Sequence, residues 1–193
     1  MHIYVPLLAS ALALAACSPA ASSDAGTVEF MTRISAYCGA AYEGTVVSDD
    51  PQDESWRAQR IVANFQSCEE VEIGIPLAVG DDLSRTWVLT KGDDGRLTLR
   101  HHHNHEDGTP DALTLYGGKA SETSSGSRQT FPADDQTKDL FDREAIPVSK
   151  TNVWAMEIRP QADMFAYELE RPERFFRVEF DLSQPVDPVG EPW

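Results

Sequence analysis

Three histidines alternate along one stretch of the chain, at His101, His103 and His105, and they continue a row begun by Leu97 and Leu99. Side chains on a strand return to the same face every second residue, so a strand here puts all five on one face. With the leucines directed into a core, the histidines step from that core toward its edge. Residues i and i+2 on a strand lie roughly 6.5–7 Å apart, close enough for two imidazoles to converge on one ion. Zinc and copper accept such ligands. His101 with His103, or His103 with His105, supplies the pair. Glu106, Asp107 and Asp111 supply a third ligand, or a carboxylate that orients an imidazole from behind. Imidazole also titrates near neutrality and can act as a general base. No partner nucleophile is legible, since G-x-S-x-G, H-E-x-x-H, S-x-x-K and P-loop motifs do not occur. The plainer reading is a solvated strand end beside a turn, with His102 and Asn104 on the outer parity.

The elements that must position this row follow from pattern and punctuation. Residues 87–118 read as three antiparallel strands, joined by turns at Lys91–Gly95 and Glu106–Asp111, because short loops force antiparallel neighbours. Upstream, residues 27–38 suit a helix with Phe30, Ile34 and Cys38 on one face. Strands are expected at 41–47, 60–66 and 70–75, where Val71, Ile73 and Ile75 alternate. Downstream, a strand is expected at 128–131, and Asp134 can cap a helix running to Ala145. Three long strands at 152–158, 164–169 and 176–182 complete the set. The expected fold is mainly β: an antiparallel meander of nine or ten strands with two short peripheral helices. It closes as a small barrel similar to the lipocalin-like group, with a β-sandwich as the alternative. Trp87, Tyr116, Trp154, Tyr167 and Phe176 fall at alternating positions, where they fill a core or line a ligand cavity. Arg128, Arg177 and Glu179 receive no assignment.

The chain has 193 residues and a net charge of −16. That length supports one domain with a core. The acidity excludes a nucleic-acid binder, which needs an excess of Lys and Arg against phosphate. A solvated surface accounts for the acidity, and no D-x-D-x-D-G loop suggests calcium.

Residues 1–16 are apolar and end in small side chains ahead of Cys17, as a secretion signal does, although no Lys or Arg precedes the apolar run. Leu14-Ala15-Ala16-Cys17 resembles the lipobox of bacterial lipoproteins. The resemblance implies cleavage before Cys17 and lipid attachment to its sulfur. Ser18 after it implies passage to the outer membrane, with the domain facing the periplasm. Residues 17–27 would then be the lipidated cysteine and a flexible tether, 28–184 a single β-rich domain, and 185–193 a proline-rich tail. With Cys17 given to lipid, Cys38 and Cys68 remain in an oxidising compartment, where a disulfide between them is expected. The body is similar to a group of bacterial secreted proteins that share a strand-borne H-x-H-x-H-E-D-G run, here His101 to Gly108. No activity comes with that resemblance. Gly95 followed by His101-x-His103 resembles the opening of the cupin metal motif, but Glu106 arrives too early and no second motif follows.

These readings converge on a periplasmic lipoprotein that binds or interacts rather than catalyses. Its expected partners are the membrane through its lipid, and a small apolar ligand or an envelope protein. The alternative is a transition-metal protein or metalloenzyme using the histidine strand.

Overall fold

The computed structural model describes Met1 and residues 23–193. The expected signal peptide and the expected lipid site at Cys17 lie outside the described residues. No helix among the described residues is long and apolar enough to cross a membrane.

The chain forms an antiparallel barrel of ten strands with three short helices. The strands are β1 (Ala41–Val46), β2 (Ile61–Asn64), β4 (Glu72–Val79), β5 (Asp82–Lys91), β6 (Leu97–His103), β7 (Tyr116–Lys119), β8 (Arg128–Pro132), β9 (Val153–Arg159), β10 (Met164–Arg171) and β11 (Arg174–Val186). A two-residue strand, β3 (Ser67–Cys68), pairs only with β4. Each long strand pairs with its sequence neighbour, and β11 pairs with β1. The barrel therefore wins over the sandwich, because one up-and-down sheet curls until its first and last strands meet.

One seam is left, between β7 and β8, and it is nearly closed. Ser121 N donates to Thr130 O at 2.8 Å, and Asp134 N donates to Gly117 O at 3.1 Å. Gly118 permits the approach, since a Cβ there would strike the Pro132 carbonyl. Helix α3 (Asp135–Arg143) seals what remains. Its buried Thr137 hydroxyl donates to Gly117 O and accepts from Gly117 N, both at 2.8 Å. Asp134 caps the helix as expected, accepting from Thr137 N, and also pairs with Arg100 at 2.6 Å.

The opposite end is covered by α1 (Ser23–Ser35), whose Phe30 and Ile34 are fully buried in the main core. The helix begins and ends earlier than expected, and Asp24 in its first turn pairs with Lys91 at 2.9 Å. Cys38 and Cys68 are disulfide-bonded with their Cα atoms 6.2 Å apart, which ties the chain leaving α1 to β3. Closing a loop of 30 residues contributes about 3–4 kcal/mol in the chain-entropy account.

Two expectations are corrected here. The histidine strand ends at His103, not His105, because Asn104 bridges Pro110 and a tight turn centred on Gly108 takes the chain out of the ladder. Two short helices were expected, and the segment after β1 adds a third, α2 (Glu54–Arg57), which carries Trp56 over the barrel mouth.

The residues left unassigned, Arg128, Arg177 and Glu179, join Glu157 and Glu168 in an ion-pair belt across β8–β11. Val186 at the end of β11 and Val189 beyond it pack on Ala41, Val62 and Ala78. Asn104 Nδ2 holds the carbonyl of Trp193 at 2.8 Å. The tail is thus a strap on the barrel wall.

Candidate functional site

The inward row of β6 sets the floor of the site. Leu97 and Leu99 are fully buried, His101 is 3% exposed, His103 is half-buried and His105 is exposed. His101 Nδ1 donates to the Tyr116 carbonyl on β7 at 3.1 Å. That fixes the tautomer: a carbonyl only accepts, so Nδ1 carries the proton and Nε2 of the neutral ring must accept. Tyr167 on β10, from across the barrel, therefore donates its hydroxyl to Nε2 at 2.8 Å. Rings stack on this strut from both sides. Trp87 lies on Tyr167 with centroids 4.3 Å apart, and Tyr116 lies on His101 at 4.5 Å.

Above this layer the barrel does not fill. A cavity of about 520 Å³ opens toward the β1–β2, β6–β7 and β10–β11 loops. Seven aromatic side chains line it, including all five of the expected set, with Trp56 and Phe141 added. The indole N–H of Trp154 in this lining is buried and meets no acceptor among the described residues. Helix α2 supplies Trp56 on one side of the mouth. The segment after α3 supplies Ile146 and Ser149 on the other.

Three arginines stand at the rim. Arg85, Arg171 and Arg174 extend the inward rows that hold Trp87, Leu169 and Phe176, each two residues away on its strand. Arg174 is tied to Asp53 and to Asp50, the latter at 3.2 Å, and lies over Phe176. Arg85 pairs with Asp82 and lies 5.4 Å over Trp56. Arg171 Nη1 donates to Asn152 Oδ1 at 3.3 Å and forms no ion pair among the described residues. Sequence reading missed these arginines, although the parity argument applied to the histidines also marks them: each is a cation at the end of an inward row.

The predicted metal set is not brought together. Both ring nitrogens of His101 are already used. His103 Nε2 lies 3.2 Å from the Tyr116 hydroxyl, and His105 stands outside with Asp111 at 3.9 Å. Glu106 and Asp107 stay in the exposed turn, where Asp107 Oδ1 accepts from Thr109 N at 2.9 Å. Of the three carboxylates only Asp111 reaches the cavity, and its Oδ1 accepts from Leu113 N at 2.7 Å. Among the described residues no three His, Cys, Asp or Glu side chains stand close enough to hold zinc or copper.

Electrostatics agree with a neutral floor. Burial pushes the His101 imidazole down to about 3, against the opposing pull of its bond to Tyr116. Burial, with the charge of Arg85 beside it, brings His103 down to about 4. Burial raises the Tyr116 phenol to about 12 and Tyr167 well above its ordinary value. The floor therefore carries no charge at neutral pH.

No family model matches the chain, and no curated protein or solved structure matches it either.

The depressed histidines predict how stability follows pH. The unfolded chain takes up a proton at His101 near pH 6.5 and the folded chain only near pH 3. The stabilisation is thus complete above pH 6.5 and lost as pH falls toward 3. By pH 5 the expected loss from His101 alone is about 2 kcal/mol, measurable by urea unfolding at pH 7.5 and pH 5. In the same range the imidazole signals of His101 should stay neutral by NMR. A midpoint near pH 6.5 for that residue would remove the strut.

Proposed function

We propose that the chain is an envelope-anchored periplasmic lipoprotein whose barrel binds a small, largely apolar ligand. The observation that carries this reading is the cavity of about 520 Å³ walled by seven aromatic side chains above a hydrogen-bonded floor. Binding sites for small molecules fall in the range of roughly 300–1,000 Å³ and combine an apolar wall with a few fixed polar groups. The floor groups hold a shape. Both nitrogens of His101 are engaged and the ring stays neutral, so the cluster suits recognition better than proton transfer.

The anchor rests on Leu14-Ala15-Ala16-Cys17. It also gives the barrel an orientation. Helix α1 starts at Ser23 and covers the closed end. The few residues between Cys17 and Ser23 span at most about 20 Å, so a lipid on Cys17 holds the closed end near the membrane. The mouth then opens away from it. Labelled palmitate should enter the wild-type chain and not a Cys17→Ala variant, which should leave the membrane fraction. Equal labelling of the two would rule out this anchor.

Ligand binding is tested with pyrenebutyrate and the soluble domain that follows Cys17. Trp56, Trp87 and Trp154 line the cavity, while Trp193 lies on the outer strap. Energy transfer from tryptophan to pyrene should saturate at one probe per chain. Ser149→Trp fills the cavity without removing a side-chain bond among the described residues. It should weaken the probe at least about tenfold while stability stays within ~0.5 kcal/mol. Absence of saturable transfer, or equal affinity in the filled variant, would count against the reading.

A further inference from the structure

Resting on the ligand-binding reading, we propose that the ligand is a monoanion with a flat apolar body, whose carboxylate is held at the rim by Arg171. The chain as a whole carries a net charge of −16, so a cationic patch on it is the exception. The lining of the cavity runs against that balance, with three arginines and one carboxylate, Asp111. Two of the three are spoken for. Arg174 is held by Asp50 and Asp53, and Arg85 by Asp82. Arg171 is the remaining one, with the neutral Asn152 amide oxygen at 3.3 Å as its side-chain partner.

A guanidinium that pairs with no carboxylate among the described residues, at the edge of an apolar cavity, is a partner for a planar anion. Its parallel N–H groups match a carboxylate in two simultaneous bonds, and such charge-assisted bonds strengthen where water is partly excluded. Arg85 stands on β5, the strand opposite β10 in the barrel, so its charge reaches the same space from the facing wall. The shape preference comes from the aromatic wall. Stacked rings offer flat faces and edges to another flat ring, which gains from offset or edge-on contact beyond simple burial. The indole N–H of Trp154, which meets no acceptor among the described residues, adds a second donor and again favours a ligand that brings acceptors.

The test compares three probes with one body and different heads: pyrenebutyrate, pyrenebutanol and pyrenebutylamine. Each is titrated into the wild-type domain and into Arg171→Gln. The anion is expected to bind at least about tenfold more tightly than the alcohol, with the amine weakest, since a charge-assisted pair is worth a tenfold factor or more. Arg171→Gln should remove most of that preference by weakening the anion alone, and a matched melting temperature checks that the variant is folded. Equal binding of all three heads in the wild type would overturn the anion assignment and leave the ligand-binding reading standing. Tighter binding of the amine would overturn it in favour of an aromatic cage for cations. A preference that survives in Arg171→Gln would overturn the role of Arg171. Failure of every probe to bind would remove the ligand-binding reading and this inference with it.

Discussion

One hydrogen-bonded strut decides where this barrel is solid and where it is hollow. His101 on β6 receives the Tyr167 hydroxyl from across the barrel and gives its own proton to the Tyr116 carbonyl on β7. A buried imidazole survives only if both nitrogens are satisfied, because each unpaired polar group costs about 1–3 kcal/mol. Satisfying them fixes the distance between β6 and β10, and the rings stacked on the strut complete a layer across the interior. On the side toward α1, Leu97, Leu99, Phe165 and Phe180 pack to zero exposure. On the other side, large rings and partly buried arginines meet the loops and leave space. A leucine in place of His101 would fit the row but would strand the Tyr167 hydroxyl.

Much of this was legible in the sequence where a single face repeats. The order Leu97, Leu99, His101, His103 gave the correct gradient from core to mouth, and Trp87, Tyr116, Trp154, Tyr167 and Phe176, one from each of β5, β7, β9, β10 and β11, all reach the cavity. The metal reading failed to assemble for a reason that spacing alone does not reveal. Two histidines at i and i+2 share a face, but the partner of each nitrogen is chosen by strands distant in sequence, and Tyr167 is 66 residues from His101. Such pairings depend on barrel closure, which local pattern does not specify. His105 fell outside because turn chemistry at Asp107, Gly108 and Thr109 overrides the strand period. Trp56 lies between the strands expected at 41–47 and 60–66, in a helix of four residues that is too short to show a period.

The charges are sorted by depth and place rather than spread evenly. Around β8–β11 the paired Arg128, Glu157, Glu168 and Arg177 cover small outward residues such as Ala155 and Ala166, which are buried beneath them. At the mouth, Arg174 is locked to Asp53 and braces the loop that carries Trp56. The outer belt and this brace are satisfied within the chain, whereas the rim at Arg171 is not. Closed end, neutral floor, aromatic wall and cationic rim thus follow one axis, and the covering of the closed end by α1 gives that axis a direction.

The most direct measurement is native mass spectrometry of the full chain purified gently from the cells that make it, followed by denaturation of the same sample. The account predicts a folded mass that exceeds the denatured mass by one small molecule. That molecule should be recovered as an anion, and it should be missing from Ser149→Trp. Identical folded and denatured masses for chain purified in this way, with no small molecule released, would contradict the claim that this cavity is a binding site.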